Sequence, residues 1–346
     1  MRPLSYINLS YLRASPRAFP PIPLIITEPA VGYGLGATAL FLRPRQEAGE
    51  EGWARPNASV LGGFATQNGT WMAMGGDASR WLDGRLRSLA GAGVGKINLD
   101  FYGRNGAPAD TPVGYTLDLA GAMVQADWTL APRSPWSVGL RYAFADVQPK
   151  LRDAPSVPVL EDLFHVRVSA PTGVLTYDSR DNVLTPTRGL YAETSYMVSR
   201  KDLGSSKDFE EFTQTLIGWL PLASRWTLAA RADYQTASLG TPFFMQPFVG
   251  LRGVPAMRYQ GDKVTSGEVE ATWQFHQRWS AVAFVGSGRA ENDRQRVSGS
   301  QGVTSGGIGL RYELARKFGL HAGLDLAFSP GTSVVIIQVG SAWARP

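Results

Sequence analysis

The sequence predicts an all-β fold: a transmembrane, antiparallel, up-and-down β-barrel of about sixteen strands with one loop folded inward. Three observations predict it. Apolar and polar residues alternate over segments of roughly ten residues, aromatic residues lie at the segment ends, and clusters of turn-forming residues separate the segments. The mean hydropathy of −0.12 fits a barrel, because only every second residue of a barrel strand faces lipid.

Composition excludes several classes of protein. No run of about eighteen uncharged apolar residues occurs, so we predict no transmembrane helix. The chain has no cysteine, which excludes disulfides and thiolate metal sites. The formal charge of +5 is dispersed among apolar residues, so we predict no nucleic-acid partner.

The predicted strands follow one another from residue 22, each ended by a cluster of Gly, Pro, Asp, Asn or Ser residues. We place them at about 22–27, 33–43, 55–66, 70–82, 88–101, 113–130, 136–148, 163–177, 188–200, 208–221, 225–238, 263–277, 279–289, 303–315, 319–328 and 333–343.

The period of two is clearest in the last third of the chain. Val269 and Ala271 alternate with Glu268 and Glu270, and residues 320–328 show the same pattern. A soluble β-sandwich would show this alternation too, so aromatic positions and connection lengths have to distinguish the two folds.

Tryptophans close to turns predict an aromatic girdle at the membrane interface, with six members: Trp128, Trp136, Trp219, Trp226, Trp279 and Trp343. Tight turns at 222–224 and 329–331 contrast with long polar connections at 149–162 and 290–302. Short periplasmic turns and longer external loops are typical of outer-membrane barrels.

About 21 residues precede the first predicted strand, so we divide the chain into an N-terminal segment, 1–21, and a transmembrane barrel, 22–346. The first twenty residues lack the apolar core of a secretory signal, although an exported protein needs one. The predicted location, integral to the outer membrane, therefore rests on the barrel pattern.

Three segments resemble the BamA/TamA-type bacterial surface antigen family of outer-membrane barrels. Residues 26–36 are similar to the opening hairpin of the stand-alone barrels in that family. Residues 251–253 lie in a Gly/Pro-rich stretch, 240–262, between two strong strands. The most specific match is 175–191, a hairpin motif that also fits a charged turn and contains Asp178, Arg180, Asp181, Asn182, Pro186 and Gly189.

The resemblance implies that the loop 240–262 folds into the lumen with the motif Leu251, Arg252, Gly253 at its tip. An arginine in that restricted space needs a carboxylate. Family members often supply it from a Phe-x-Asp-x-Gly pattern, in which this chain has Gly286 instead of the aspartate. We therefore predict that Arg252 pairs with Glu270, or failing that with Glu268.

The last predicted strand has the polar, glycine and aromatic spacing of a barrel assembly signal in Gln338, Gly340 and Trp343. The alternative interpretation is simply an amphipathic last strand. Family members usually stop at the aromatic residue, whereas residues 344–346 follow here. No POTRA module, which grips client polypeptides in large family members, is recognisable in the sequence.

By resemblance, the chain inserts or translocates polypeptides, with loop 240–262 as a lumen plug and a weak seam between the first and last strands. Pro21, Pro23 and Pro29 favour a weak seam, because proline cannot donate to a ladder. The implied partners are outer-membrane lipids, the barrel assembly machinery during biogenesis and a client polypeptide. The rival interpretations are a passive outer-membrane pore and a barrel that anchors a separate partner protein.

We predict no catalytic, cofactor or metal site. His165, His276 and His321 lie on different predicted strands, and none has a second histidine at metal-ligand spacing. His276 with Ser280 or Asp262 is the nearest approach to a triad, but nothing in the sequence activates the serine. The chain is therefore predicted not to be an enzyme.

Overall fold

The computed structural model describes residues 17–18, 22–43, 57–102, 113–152, 165–292, 299–315 and 319–343. These residues form one antiparallel sheet of seventeen strands. The strands are β1 (Arg17–Ala18), β2 (Ile22–Ile26), β3 (Gly34–Arg43), β4 (Asn57–Thr66), β5 (Trp71–Trp81), β6 (Leu86–Phe101), β7 (Val113–Thr129), β8 (Trp136–Leu151), β9 (Val166–Asp178), β10 (Gly189–Ser199), β11 (Phe209–Ala223), β12 (Trp226–Ala237), β13 (Lys263–Trp273), β14 (Trp279–Asn292), β15 (Gly299–Ala315), β16 (Leu320–Ser329) and β17 (Thr332–Val339).

The predicted fold class is confirmed: sixteen strands from β2 to β17 pair consecutively in up-and-down order around a nearly closed barrel. The two residues of β1 fall in the predicted N-terminal segment and pair with β3. None of the described residues belongs to a helix that is long and apolar enough to cross a membrane.

The consecutive ladders run from β2 to β17, so these two strands are the edges that face each other in the nearly closed barrel. Among the described residues no residue-by-residue ladder joins these two strands, whereas β2 pairs with β3 from Ile22 to Ile26 and β17 pairs with β16 from Thr332 to Val339. This junction is called the seam below.

Two predicted strands end four residues earlier than expected. The strand predicted at 263–277 ends at Trp273, because residues 274–278 form the turn into β14, where His276 and Trp279 exchange backbone hydrogen bonds. The strand predicted at 333–343 ends at Val339, because Gly340 has a φ of +86° and turns the chain. Such a φ is readily adopted by glycine.

Alternation along each strand separates a lumen face from an outer face. In β14, Phe284 is 5% exposed and Val285 is 62% exposed. Large apolar side chains such as Leu35, Leu61 and Ile308 are likewise exposed on the outer face. Side chains of this kind suit contact with lipid tails.

The up-and-down order assigns each connection to one of two ends. Connections that follow even-numbered strands lie at the loop end, which carries residues 238–262; those that follow odd-numbered strands lie at the terminal end, where β17 finishes. The tight connections at 224–225 and 330–331 therefore lie at opposite ends, so the predicted segregation of tight turns to one side is wrong. The long connections fall partly outside the described residues, since β8 continues to Leu151 and β14 to Asn292.

Among the described residues, six exposed tryptophans at strand termini line the terminal end: Trp81, Trp128, Trp136, Trp226, Trp273 and Trp279. The rings of Trp226 and Trp273 stack across paired strands, 5.7 Å apart. The girdle prediction is wrong for Trp219 and Trp343, which are 7% and 5% exposed. Trp219 shares the lumen face of β11 with Ile217, and Trp343 follows the turn at Gly340.

Candidate functional site

The loop between β12 and β13, residues 238–262, folds inward and packs against the barrel wall. Val249, Leu251 and Val254 are buried among Val264, Ala290 and Val303 of β13, β14 and β15. Each buried aliphatic side chain of this size contributes about 1.5–3 kcal/mol. This side of the loop is therefore held by a continuous apolar contact.

Close approach of the loop to β14 requires glycine in the wall. A Cβ at Gly288 would lie 2.3 Å from Cγ1 of Val249, and a Cβ at Gly286 would lie 2.9 Å from Cδ2 of Leu251. The position at which the family pattern has aspartate is thus occupied by a glycine that makes room for the loop.

The loop also reaches the opposite wall. Met257 is buried with Leu99, Tyr115 and Val147 of β6, β7 and β8. The ring of Phe243 packs edge-on against Tyr115 at 5.0 Å between centroids. Because β6–β8 and β13–β15 are separated by about half of the strands, the loop crosses the lumen.

Two further contacts tie the loop to the hairpins beside the seam. The backbone N–H of Ala256 donates to Oε1 of Glu28 in the β2–β3 connection at 3.0 Å. On the other side, the hydroxyl of Ser329 donates to the carbonyl of Gly253 at 2.8 Å. The loop therefore touches both the first and the last hairpin of the barrel at the loop end.

Arg252, at the loop tip, lies among three carboxylates of the wall. Its Nε donates to Oε1 of Glu268 at 2.7 Å, and its Nη1 lies 2.7 Å from Oε2 of Glu270 and 3.2 Å from Oδ2 of Asp325. Only 9% of its side chain is exposed. Its guanidinium carbon lies 3.6 Å from the ring centroid of Phe284, a cation–π contact.

Sequence reasoning singled out Glu268 and Glu270 and missed Asp325. Asp325 is fully buried on the lumen face of β16. One feature of the sequence could have identified Asp325: it is an acidic residue in the middle of a predicted strand whose polar face carries few other charges. Its link to Arg252 depends on a barrel register that alternation does not reveal.

A second arginine extends the cluster to the last strand. Nη2 of Arg311 in β15 donates to Oδ2 of Asp325 at 3.0 Å. With its amide oxygen turned towards Arg311, Gln338 of β17 accepts from Nη2 at 2.6 Å and from Nε at 2.9 Å. A Cβ at Gly323 would lie 2.4 Å from Cδ of Arg311, so glycine leaves room for this side chain.

The chain after β17 also turns into the lumen. The N–H of Gly340 donates to the carbonyl of His321 at 2.7 Å, and the N–H of Ser341 donates to that of Leu184 at 2.6 Å. Trp343 then donates from Nε1 to Oε1 of Glu268 at 2.9 Å. The loop motif and the C-terminal motif, far apart in sequence, thus meet on one carboxylate oxygen.

The hairpin motif lies at the terminal end, in the connection from β9 to β10. Arg180 makes two hydrogen bonds of 2.8 Å to the carboxylate of Asp178 and packs over the ring of Tyr191. The amide oxygen of Asn182 accepts from the N–H of Leu184 at 2.7 Å, and Asp181 accepts from the N–H of Thr187 at 3.0 Å.

The end of the hairpin motif is shaped by its glycine. Gly189 has a φ of +107°, and a Cβ there would lie 2.3 Å from the carbonyl oxygen of Ser179. Pro186 lines a cavity of about 380 Å³ at the terminal end, which is also bordered by Arg311, Gln338 and Gly340. The hairpin motif is thus a hydrogen-bonded turn next to the C-terminal segment, rather than a direct contact of Arg252.

Comparison with known proteins agrees with this architecture. Residues 96–329, more than half of the chain, match the family model described as the Omp85 superfamily domain. The fold is similar to that of BamA from Haemophilus ducreyi lacking POTRA domains 1–3, with a TM-score of 0.62 and 12% identity, over 94% of this chain and 70% of that chain. No curated protein matches the sequence significantly.

Two CdiB structures are similar to the same degree. CdiB from Acinetobacter baumannii matches with a TM-score of 0.62 and 10% identity, over 92% of this chain and 59% of that chain. CdiB from Escherichia coli matches with a TM-score of 0.62 and 11% identity, over 94% of this chain and 60% of that chain. At such identities these likenesses establish the fold alone, and the chain spans about 60% of the CdiB chains.

Proposed function

Because this chain belongs to the Omp85 superfamily, we propose that it resides in the outer membrane and inserts or translocates polypeptides, with loop 240–262 as a lumen plug and a weak seam. The observation that carries the proposal is the loop itself, which crosses the lumen and has at its tip an arginine held by carboxylates of two wall strands.

The charge cluster supports a plug that is held in one position. Removing one partner of a buried ion pair costs about 3–5 kcal/mol, because the other charge stays buried. Arg252 has three acidic partners, of which Glu268 and Asp325 are buried. The loop therefore leaves the lumen only if something else satisfies these groups.

The seam supports a lateral opening. β2 has five residues and contains Pro23, which offers no N–H to a neighbouring strand. The loop contacts at Glu28 and Ser329 lie on the two sides of the seam, so movement of the loop and opening of the seam are coupled in this proposal.

A passive pore is the second candidate. The cavity at the terminal end carries both signs of charge, including Arg225, Arg311, Glu270 and Glu313, as the lining of a weakly selective channel would. A barrel that only anchors a separate partner protein would need neither a conducting state nor a movable loop.

Single-channel conductance in a planar bilayer tests the proposal, comparing the intact chain with a variant lacking residues 249–262. A plugged barrel gives a small, flickering conductance that becomes large and steady on deletion. Arg252→Gln should move conductance in the same direction. The matched control is Arg200→Gln, since Arg200 pairs with Glu210 at the loop end and is more exposed.

The two rival functions give different records. Large, steady conductance in both the intact and the deleted chain would establish a pore and overturn the plug. If neither chain conducts, translocation through the lumen is overturned, and the remaining function is that of a barrel that anchors a separate partner protein.

A further inference from the structure

Trp343 fills a pocket in the barrel lumen. Its ring is buried among Tyr191, Ile217, Trp219 and Ala229, contributed by β10, β11 and β12. Large aromatic and aliphatic walls of this kind bury the whole of an aromatic side chain.

The pocket also has a polar end. Oε1 of Glu268 accepts the indole N–H of Trp343 at 2.9 Å, and Cζ of Arg252 lies 5.6 Å from the indole ring centroid. A ring that carries an N–H or O–H donor therefore fits, whereas a phenyl ring leaves the acceptor without that donor.

Trp343 is joined to β17 by the short segment 340–342 and does not itself pair with a neighbouring strand. The ladder between β17 and β16 ends at Val339, and Trp343 follows after the turn at Gly340. The attachment therefore moves with the last strand, one of the two strands that border the seam.

The pocket is continuous with the terminal end of the barrel. Trp219, Ala229 and Ala342 line both the pocket and the cavity of about 380 Å³, whose other walls include the terminal-end turn residues Ser224 and Arg225. A segment that enters the lumen from this end meets the pocket directly beneath the loop tip.

We propose that this pocket is a binding site for a tryptophan or tyrosine side chain of a client polypeptide, and that Trp343 occupies it in cis until a client replaces it. The proposal rests on the proposed function as a polypeptide-handling barrel. When a client side chain enters the pocket, its N–H or O–H replaces the indole N–H of Trp343 as the hydrogen-bond donor to Glu268. The buried carboxylate therefore keeps a hydrogen bond while residues 340–343 leave the pocket together with β17.

The test measures peptide binding by the full chain, refolded in detergent. The probe is a labelled hexapeptide with the sequence of residues 338–343, QVGSAW, and the control peptide has alanine in place of the tryptophan. Trp343→Ala vacates the pocket. Fluorescence anisotropy should show saturable binding of the tryptophan peptide to the Trp343→Ala chain. The affinity should be at least about tenfold higher than that of the same peptide for the unaltered chain. It should exceed the affinity of the control peptide for the Trp343→Ala chain by the same factor.

A second substitution locates the bound peptide. In the Trp343→Ala chain, Ala229→Leu fills the pocket and should abolish binding, whereas Ala281→Leu, on the outer face of β14, should leave it unchanged. Heat-dependent migration on gels reports whether each barrel is folded. If Trp343→Ala does not fold, Trp343→Phe keeps a ring without the N–H, and the peptide should displace it more readily than it displaces tryptophan.

Equal binding of the two peptides, or binding that survives Ala229→Leu, would overturn the site. So would the absence of binding to folded Trp343→Ala and Trp343→Phe chains. Conductance of the chain lacking residues 249–262 is a separate measurement, so failure of the translocation proposal is distinguished from failure of the pocket.

Discussion

Asp325 and Arg252 are 73 positions apart in sequence, and Oδ2 of the aspartate lies 3.2 Å from Nη1 of the arginine in the lumen. The same carboxylate accepts a hydrogen bond from Arg311. Asp325 therefore joins two cations, one from the inward loop and one from β15. Through Arg311 and Gln338 this chain of contacts reaches the last strand.

Asp325→Asn should lower the free energy of unfolding by about 3–5 kcal/mol, because it leaves buried arginine charge with less compensation. Urea-induced unfolding of the refolded barrel measures this. Asp146→Asn is the control: Asp146 pairs with His165 and Arg167 in a more exposed setting, and such pairs contribute about 1 kcal/mol or less. Equal losses for the two variants would contradict the assigned role of Asp325.

Glu268→Gln should release the loop more than Glu270→Gln does. Glu268 accepts from both Arg252 and Trp343 and is 2% exposed, whereas 16% of the Glu270 side chain is exposed. The chain has no cysteine, so Met257→Cys provides a single thiol on the loop, called the loop thiol below. Its maleimide-labelling rate should rise most with Glu268→Gln, and the reverse order would refute the ranking.

Alternation along the strands identified the lumen face of β13, and with it Glu268 and Glu270, because successive side chains point to opposite faces. It could not identify Asp325, since closeness of β16 to the loop tip follows from the path of a 25-residue connection, 238–262, and from barrel register. Trp343 was misplaced for a similar reason. One glycine with a positive φ redirects the chain after β17, and no periodicity reports that turn.

Gly288→Ala should expel the loop from its position against β14. The new Cβ would stand 2.3 Å from Cγ1 of the buried Val249, so labelling of the loop thiol should accelerate. Val249→Ala in the same chain removes the clashing methyl and should restore part of the protection, a coupling that a double-mutant cycle measures. Gly302→Ala is the control, because its nearest neighbour is 3.8 Å away. Additive effects of the two substitutions would contradict the clash.

Glu28→Ala should loosen the loop on the first-hairpin side of the seam. The carboxylate accepts from the N–H of Ala256, and hydrogen bonds to charged groups contribute about 1.5–3 kcal/mol. The labelling rate of the loop thiol should therefore rise. Glu291→Ala, which removes a pair with Lys263 at the loop end, should leave labelling unchanged. If both variants label alike, the contact with Glu28 does not hold the loop.

Gly189→Ala should impair folding of the hairpin motif. The residue has a φ of +107°, and its new Cβ would stand 2.3 Å from the backbone carbonyl of Ser179, so either the turn or the start of β10 has to move. Strain of this kind costs about 1–3 kcal/mol. The refolded fraction on heat-modifiability gels and the urea midpoint should both fall. The matched control is Gly173→Ala in β9, because no heavy atom lies within 4 Å of the Cβ that this substitution adds. Equal stability of the two alanine variants would mean that the glycine of the hairpin motif is not required by backbone geometry.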